Sequence, residues 1–170
     1  MKKIIFIALA LMVSGALFAQ KFAYIDTEYI LNNIPSYKSA QDQIDKFSDA
    51  WQKEVDALYT DIDKMYKTYQ SEKVLLTEEM KKKREEEIVS KEKEAKDLQN
   101  KYFGQNGSLF KKREELVKPI QDEVYKAVKE MAIDGGYAII FDKAAGATII
   151  YDDPKFDKSD AILQKLGYKN

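Results

Sequence analysis

The chain of 170 residues contains no cysteine and no histidine, and only 3 prolines and 7 glycines. Without cysteine there is no disulfide, thiolate nucleophile or thiolate metal ligand, and without histidine there is no imidazole base. The scarcity of helix-breaking residues in a chain that is 34% charged and 45% hydrophobic indicates long helices. The 28 basic and 29 acidic residues give a formal net charge of -1, which offers no electrostatic basis for binding nucleic acid.

The N-terminal segment has the pattern of a secretory signal peptide. Lys2 and Lys3 precede an apolar run over residues 4–13, which is followed by Ser14 to Ala16 and by Ala19 as a small residue just before Gln20. The run is shorter than the ~20 apolar residues that a membrane-spanning helix needs. We therefore expect export with cleavage after Ala19. Removal of Lys2 and Lys3 leaves 26 basic residues against 29 acidic ones.

Residues 36–118 are predicted to form a long helical hairpin. No proline or glycine occurs from Ser36, the expected N-cap, to about Leu76. Apolar and aromatic side chains recur every three or four residues, as in a coiled coil. Thr77 followed by two glutamates indicates a new helix start, which places the turn near residues 75–78. The expected seam residues are Trp51, Val55, Leu58 and Met65 on the first helix and Ile88, Ala95, Leu98 and Tyr102 on the second.

Folding the chain back at this turn places Trp51 opposite Tyr102 and Met65 opposite Ile88. Three further apolar positions, Ile62, Tyr69 and Phe47, fall opposite Lys91, Arg84 and Asn106. Because the pairing is incomplete, two arms that dimerise in trans remain an alternative. Gly104, Gly107 and Pro119 lie in the second helical tract, and we expect a bend or break near each.

Both chain ends have strand character. The runs Phe22 to Ile25, Tyr137 to Phe141 and Ala147 to Tyr151 are β-branched or aromatic, and the last two predict a β-hairpin. Residues 20–35 and 119–170 are therefore expected to form a small β-rich body. A sheet this small leaves edges and an apolar face for further copies of the chain to cover. The residues expected to build this oligomerisation body are Phe22, Tyr24, Ile25, Tyr137, Ile139, Phe141, Ile149 and Tyr151.

A second aromatic stripe accompanies the seam. Tyr59 and Tyr66 lie one position from it on the first helix, and Phe103 and Phe110 do so on the second. Such side chains either grip unfolded apolar segments or widen the hairpin core. The densest carboxylates, such as the pair Asp152 and Asp153, fit a solvated turn better than acid/base chemistry. We expect no enzyme activity, no cofactor and no metal site.

The order and spacing of several segments resemble the Skp/OmpH family of periplasmic chaperones for outer membrane proteins. The matching segments are Phe22 to Asp26 leading into Tyr29 to Leu31, the charged hairpin, Phe110 to Ile120, Gly136 to Asp142, and Tyr151 to Asp157 with Leu163 to Gly167. The resemblance implies an α+β fold in which a helical hairpin projects from a β-rich body. It also implies a periplasmic homotrimer whose arms enclose unfolded outer membrane barrel precursors without ATP.

One property departs from that family. Its better-known members are strongly basic, whereas this chain has a sequence pI of about 5.7. Contact with anionic membranes or lipopolysaccharide is therefore not carried over. The alternative function is a periplasmic coiled-coil adaptor that joins folded envelope partners through the tip of the hairpin.

Overall fold

The computed structural model describes residues 20–146 and 149–168. The predicted signal peptide and part of the predicted strand at 147–151 lie outside the described residues. The strands are β1 (Lys21–Ile25) and β2 (Tyr137–Asp142), and the helices are α1 (Thr27–Asn32), α2 (Pro35–Glu72), α3 (Glu78–Phe103), α4 (Ser108–Gly135) and α5 (Ser159–Lys165). Short 3-10 turns occupy Lys73–Leu75 and Pro154–Phe156. No helix in the described ranges is long and apolar enough to cross a membrane.

The chain divides into two compact units, which we call the arm and the body. The arm comprises residues 31–123, and the described part of the body comprises residues 20–30 with 124–146 and 149–168. The arm predicted from the sequence, residues 36–118, lies within these limits. Helices α1 and α4 each contribute residues to both units.

The arm is an antiparallel hairpin of α2 and α3 within one chain, which confirms the predicted hairpin. Helix α2 has 38 residues, about 57 Å at ~1.5 Å per residue. It begins at Pro35, one residue before the expected cap Ser36, because the fixed φ of proline suits the first helical turn. At the other side of the turn, Thr77 caps α3 as predicted, and its Oγ1 accepts the Met80 N–H at 3.3 Å.

Small and branched side chains fill the seam of the arm. Ile62 and Tyr69, expected opposite Lys91 and Arg84, are only 6% exposed each. A side chain in such a seam packs between several residues of the facing helix, so one-to-one pairing misjudges its surroundings. The buried seam residues are Ala40, Ile44, Val55, Ile62 and Tyr69 on α2 with Ile88 and Ala95 on α3. Val117 of α4 joins Ala40 and Ile44 in a buried cluster covered by Tyr37, Leu109, Leu116 and Ile120.

The second side of the arm breaks at residues 104–107, as predicted. Gly107 donates its N–H to the Gly104 carbonyl at 2.8 Å, and a Cβ at Gly107 would lie 2.6 Å from the Tyr102 carbonyl oxygen. At Pro119, where a bend or break was expected, there is no break, because α4 continues through the proline. Val117 and Ile120 flank that proline in the buried cluster, and their packing offsets the backbone hydrogen bond that proline removes.

The body joins both chain ends in a parallel two-stranded sheet. Phe22 pairs with Ile139 and Tyr24 pairs with Phe141. The predicted hairpin with Ala147 to Tyr151 is wrong: Ile149 to Tyr151 lie outside any strand, and Ile150 is 95% exposed. Instead, β2 pairs with β1, and Lys143, which follows β2, donates its N–H to the Ile25 carbonyl of β1 at 2.8 Å. The other edge of β1 is occupied by Asp157 and by Lys158, whose N–H donates to the Tyr24 carbonyl at 2.9 Å.

A buried serine ties the ends of the chain together in the body. Ser159 is 3% exposed; its Oγ accepts the Asp26 N–H at 2.9 Å and donates to Asp157 Oδ1 at 2.6 Å. Nearby, Thr27 Oγ1 donates to Asp142 Oδ2 at 2.7 Å. These bonds hold the start of α1 against both later segments. The apolar core beside them consists of Ala23, Tyr24, Ile25, Ile30, Val124, Ala127, Ile162 and Leu163.

Candidate functional site

One long side of the arm carries half-exposed tyrosine rings. Tyr59 and Tyr66 stand two helical turns apart on α2 and are 43% and 41% exposed. Tyr59 Oη donates to Gln99 Oε1 at 3.3 Å, and Tyr66 Oη donates to Glu92 Oε1 at 2.9 Å. Because Glu92 and Gln99 are also seven residues apart, both pairs lie on the same side of the hairpin. We call this side, defined by these four residues, the tyrosine face.

Two tyrosines of α2 donate hydrogen bonds to carboxylates of the facing helix. Tyr69 donates to Glu85, and this bond raises the pKa of the Tyr69 hydroxyl to about 12. The bond to Glu92 likewise raises the pKa of Tyr66. At neutral pH both hydroxyls are therefore protonated donors. The exposed part of the Tyr66 ring is an apolar surface whose position the hydrogen bond to Glu92 favours.

An aromatic cluster lies beside the break in the arm. Trp51 stacks on Tyr102 across the seam, with ring centroids 4.9 Å apart and an interplanar angle of 7°. Phe47 stacks on Trp51 at 5.4 Å, and Phe103 meets Tyr102 edge-on at 6.4 Å. Tyr102 Oη donates to Glu54 Oε2 at 2.6 Å, and this bond raises the pKa of Tyr102. The cluster fixes the end of α3 to the middle of α2.

The structure places the four residues proposed to contact unfolded chains in three settings. Tyr59 and Tyr66 share the tyrosine face, whereas Phe103 belongs to the aromatic cluster. Phe110 lies on α4 beyond the break and is 43% exposed. Among the expected seam residues, Val55, Ile88 and Ala95 are buried, and Trp51, Leu58, Met65, Leu98 and Tyr102 are half-buried.

The body presents a second apolar surface. An open cavity of about 1060 Å³ is lined mainly by aromatic and aliphatic side chains of both chain ends. Six of the residues expected in an oligomerisation body line it: Phe22, Tyr24, Tyr137, Phe141, Ile149 and Tyr151. Ile139, the register partner of Phe22, is 48% exposed. Tyr24 and Ile25, in contrast, are 8% and 4% exposed and already packed within their own chain.

The acidic pair near this cavity is engaged in ion pairs. Lys143 Nζ lies 2.7 Å from Asp152 Oδ2, and Lys155 Nζ lies 2.6 Å from Asp153 Oδ2. Hydrogen bonds from these lysines lower the pKa of both carboxyls. A general acid working near neutral pH needs the opposite shift. The two aspartates therefore fit a structural turn. No cluster of three potential metal-ligating side chains occurs within residues 20–146 and 149–168.

Some strongly exposed aliphatic residues of the hairpin were not among the predicted site residues. Val74 and Leu75 in the turn of the arm are 88% and 83% exposed, and Val89 on α3 is 61% exposed. The sequence did carry a signal for Val74 and Leu75, because the turn that contains them has no glycine, proline or asparagine and is therefore unusually apolar.

A long helical hairpin, together with a two-stranded sheet built from both chain ends, is an architecture that known proteins share. The model of the family described as "Outer membrane protein (OmpH-like)" matches residues 21–166. The chain belongs to this family.

Structural similarity agrees with this assignment at the level of the fold. The crystal structure of a protein from Caulobacter crescentus CB15, described as an OmpH-like outer membrane chaperone, superposes with a TM-score of 0.64. The match covers 86% of this chain and 83% of that chain at 10% sequence identity. A comparison with curated protein sequences found no significant match.

Proposed function

We propose that this protein is an ATP-independent holdase chaperone that binds unfolded outer membrane β-barrel precursors and prevents their aggregation. The observation that carries the proposal is the tyrosine face, where fixed rings stay half exposed along a slender arm. Unfolded barrels expose alternating apolar residues and unpaired strand edges, both of which promote aggregation. Rigid aromatic rings bind such segments with little loss of side-chain entropy. Membership in the OmpH-like family supports the same role.

The proposal includes the setting and the assembly of the chaperone. Residues 1–19 would direct export to the periplasm and be cleaved after Ala19. Three chains would associate through the apolar surface of the body, around Phe22, Ile139 and Phe141. Several arms would then contact one client at once, so that each contact can be weak. Anionic lipid and lipopolysaccharide are not included, because this chain has a sequence pI of about 5.7 and so offers no excess of positive charge.

The test is suppression of aggregation by the processed chain, residues 20–170. A urea-unfolded outer membrane barrel protein is diluted into buffer, and light scattering is followed with and without the chaperone. We expect suppression by the unaltered chain and a loss of at least half of it in the Tyr59→Gln, Tyr66→Gln double variant. Glutamine keeps a hydrogen-bonding group but removes the ring. Tyr125→Gln is the matched control, because Tyr125 is 70% exposed elsewhere, on α4.

Full scattering in the presence of the unaltered chain would refute the chaperone role. Equal suppression by the double variant and the unaltered chain would instead show that clients bind another surface.

The second candidate is an adaptor that joins folded envelope proteins. The exposed aliphatic pair Val74 and Leu75 at the turn of the arm favours it. An adaptor binds through a defined patch, so deletion of residues 75–87 should abolish partner binding. A chaperone that uses the length of its arms should lose client binding only in part.

A further inference from the structure

The processed chain would begin with a residue that can react with itself. Cleavage after Ala19, which is part of the proposed function, leaves Gln20 as the first residue. A glutamine in this position carries a free α-amine and, on the same residue, a side-chain amide. Nucleophile and electrophile are then joined by a short flexible stem, so their reaction is intramolecular and needs no second molecule.

The fold leaves Gln20 free to bring these two groups together. Gln20 is exposed and precedes β1 without taking part in the sheet, whose pairing begins with Lys21 and Tyr137. No hydrogen bond between described residues holds its side-chain amide. Lys21, in contrast, is held, because its Nζ donates to the Gly135 carbonyl at 3.0 Å. The reactive residue is therefore unconstrained, while the residue after it is fixed to the body.

The reaction is a ring closure that needs neither a cofactor nor an oxidant. An α-amino group has a pKa of about 7.7–8.0, so part of it is neutral and nucleophilic at neutral pH. The neutral nitrogen attacks Cδ of Gln20 and forms a carbon–nitrogen bond. The bond between Cδ and Nε2 breaks, and the amide nitrogen leaves as ammonia. The product is pyroglutamate, an uncharged lactam, and only atoms of Gln20 have changed.

The ring closure removes a positive charge beside the apolar surface of the body. Gln20 lines the open cavity of the body, whose other lining residues are mainly aromatic and aliphatic. The two carboxylates in that lining, Asp152 and Asp153, are already paired with lysines. An α-ammonium group at Gln20 would therefore find no free carboxylate among these lining residues. A charge without a partner opposes the burial of this surface, and pyroglutamate does not.

We propose that Gln20 cyclises to pyroglutamate once the signal peptide has been removed, which gives the exported chain an uncharged N-terminus beside the apolar surface of the body. The proposal rests on the export and cleavage that the proposed function includes. It does not depend on the binding of clients, because the reaction involves Gln20 alone.

The experiment follows the N-terminus of the exported chain. The full precursor, residues 1–170, is produced in a Gram-negative host, purified from the periplasm and kept at neutral pH in phosphate buffer for days to weeks. At intervals, free amines are dimethylated before digestion, and the N-terminal peptide is identified by mass spectrometry. We expect a peptide that starts at residue 20, and we expect at least half of it to lose the N-terminal label together with the mass of one ammonia.

Gln20→Asn is the matched control. Asparagine keeps the side-chain amide but is one methylene shorter, so the corresponding ring would be strongly strained. Its N-terminus should therefore stay labelled throughout. Labelling before digestion ensures that a ring formed during the analysis is not counted.

Three outcomes would overturn the proposal. A peptide that starts at residue 20 and keeps its label as Gln20→Asn does would show that Gln20 does not cyclise. A blocked N-terminus without the loss of ammonia would mean a different modification. A first residue other than Gln20 would remove the reactive terminus altogether. The chaperone role is judged separately, since we expect Gln20→Asn to suppress aggregation as the unaltered chain does.

Discussion

Tyrosine hydroxyls connect the two helices of the arm at four points. Tyr59, Tyr66 and Tyr69 of α2 donate to Gln99, Glu92 and Glu85 of α3, and Tyr102 of α3 donates to Glu54 of α2. Helix α3 supplies only Ile88 and Ala95 as buried apolar residues, so its apolar seam specifies the alignment weakly. The directional hydrogen bonds of the tyrosines help to fix the register of α2 against α3, which apolar contact alone specifies weakly.

These bonds make the stability of the arm sensitive to high pH. The pKa of Tyr69 is raised from 10.0 to about 12 in the folded chain, so the folded state holds a proton that the unfolded state releases between these values. The stabilisation is complete below pH 10 and is lost as the pH rises through about 12. We expect the urea midpoint, followed by far-ultraviolet circular dichroism, to fall over this interval. Tyr69→Phe should flatten the fall, whereas Tyr125→Phe should not.

If Tyr69→Phe and the unaltered chain lose stability with the same pH dependence, the hydroxyl of Tyr69 does not tie the helices together.

The sequence could identify the tyrosines of the second stripe, because their spacing is local. It could not identify their acceptors, because these depend on the alignment of two helices that are separated by a turn.

At the scale of elements, the arm depends on a thin seam. Ile62 is 6% exposed although simple pairing placed it opposite Lys91, and Val89 on the facing helix is 61% exposed. We therefore expect the burial of Ile62 and Val89, and not their positions in the simple pairing, to determine how much truncation of each lowers the free energy of unfolding. The difference provides a direct comparison between two branched aliphatic residues of one hairpin.

We expect Ile62→Ala to lower the free energy of unfolding by about 2–5 kcal/mol, the usual cost of truncating a buried isoleucine. Val89→Ala should change it by no more than about 0.5 kcal/mol. Urea unfolding of both variants measures the two values. Similar values would mean that Ile62 is not enclosed by the seam.

Several features of the secondary-structure elements could be predicted from the sequence. The hairpin, the cap at Thr77 and the break at 104–107 all follow from local signals, namely periodicity, capping chemistry and glycine. At Pro119 the helix does not break, because tertiary packing around Val117 and Ile120 offsets the local penalty of the proline. The strand predicted at 147–151 is absent from its described part, Ile149 to Tyr151. Strand propensity identifies candidate strands but not their partners, and the partner of β2 is β1, more than a hundred residues away.

At the scale of the whole molecule, the body carries an apolar surface that a single chain does not cover. Phe22, Ile139 and Phe141 are each between 44% and 48% exposed on the same side of the sheet. Adjacent apolar side chains at this level of exposure usually mark an interface. Self-association through this surface is the assembly that the proposed function requires.

Ile139→Asp should dissociate that assembly, because it places a charge in an apolar interface without a partner. Light scattering of the processed chain should report the mass of a monomer for this variant and of a trimer for the unaltered chain. Val89→Asp, with the same charge on the arm, should remain a trimer. Tyr24→Asp is less informative, because Tyr24 is 8% exposed and its loss would damage the fold of the chain itself.

The mass of the complex between the processed chain and an unfolded outer membrane barrel shows whether several arms hold one client. Native mass spectrometry after dilution of the barrel from urea would give its stoichiometry. We expect three copies of this chain with one client, since the account needs several arms to enclose it. A complex built on one or two copies, or no complex at all, would contradict that account.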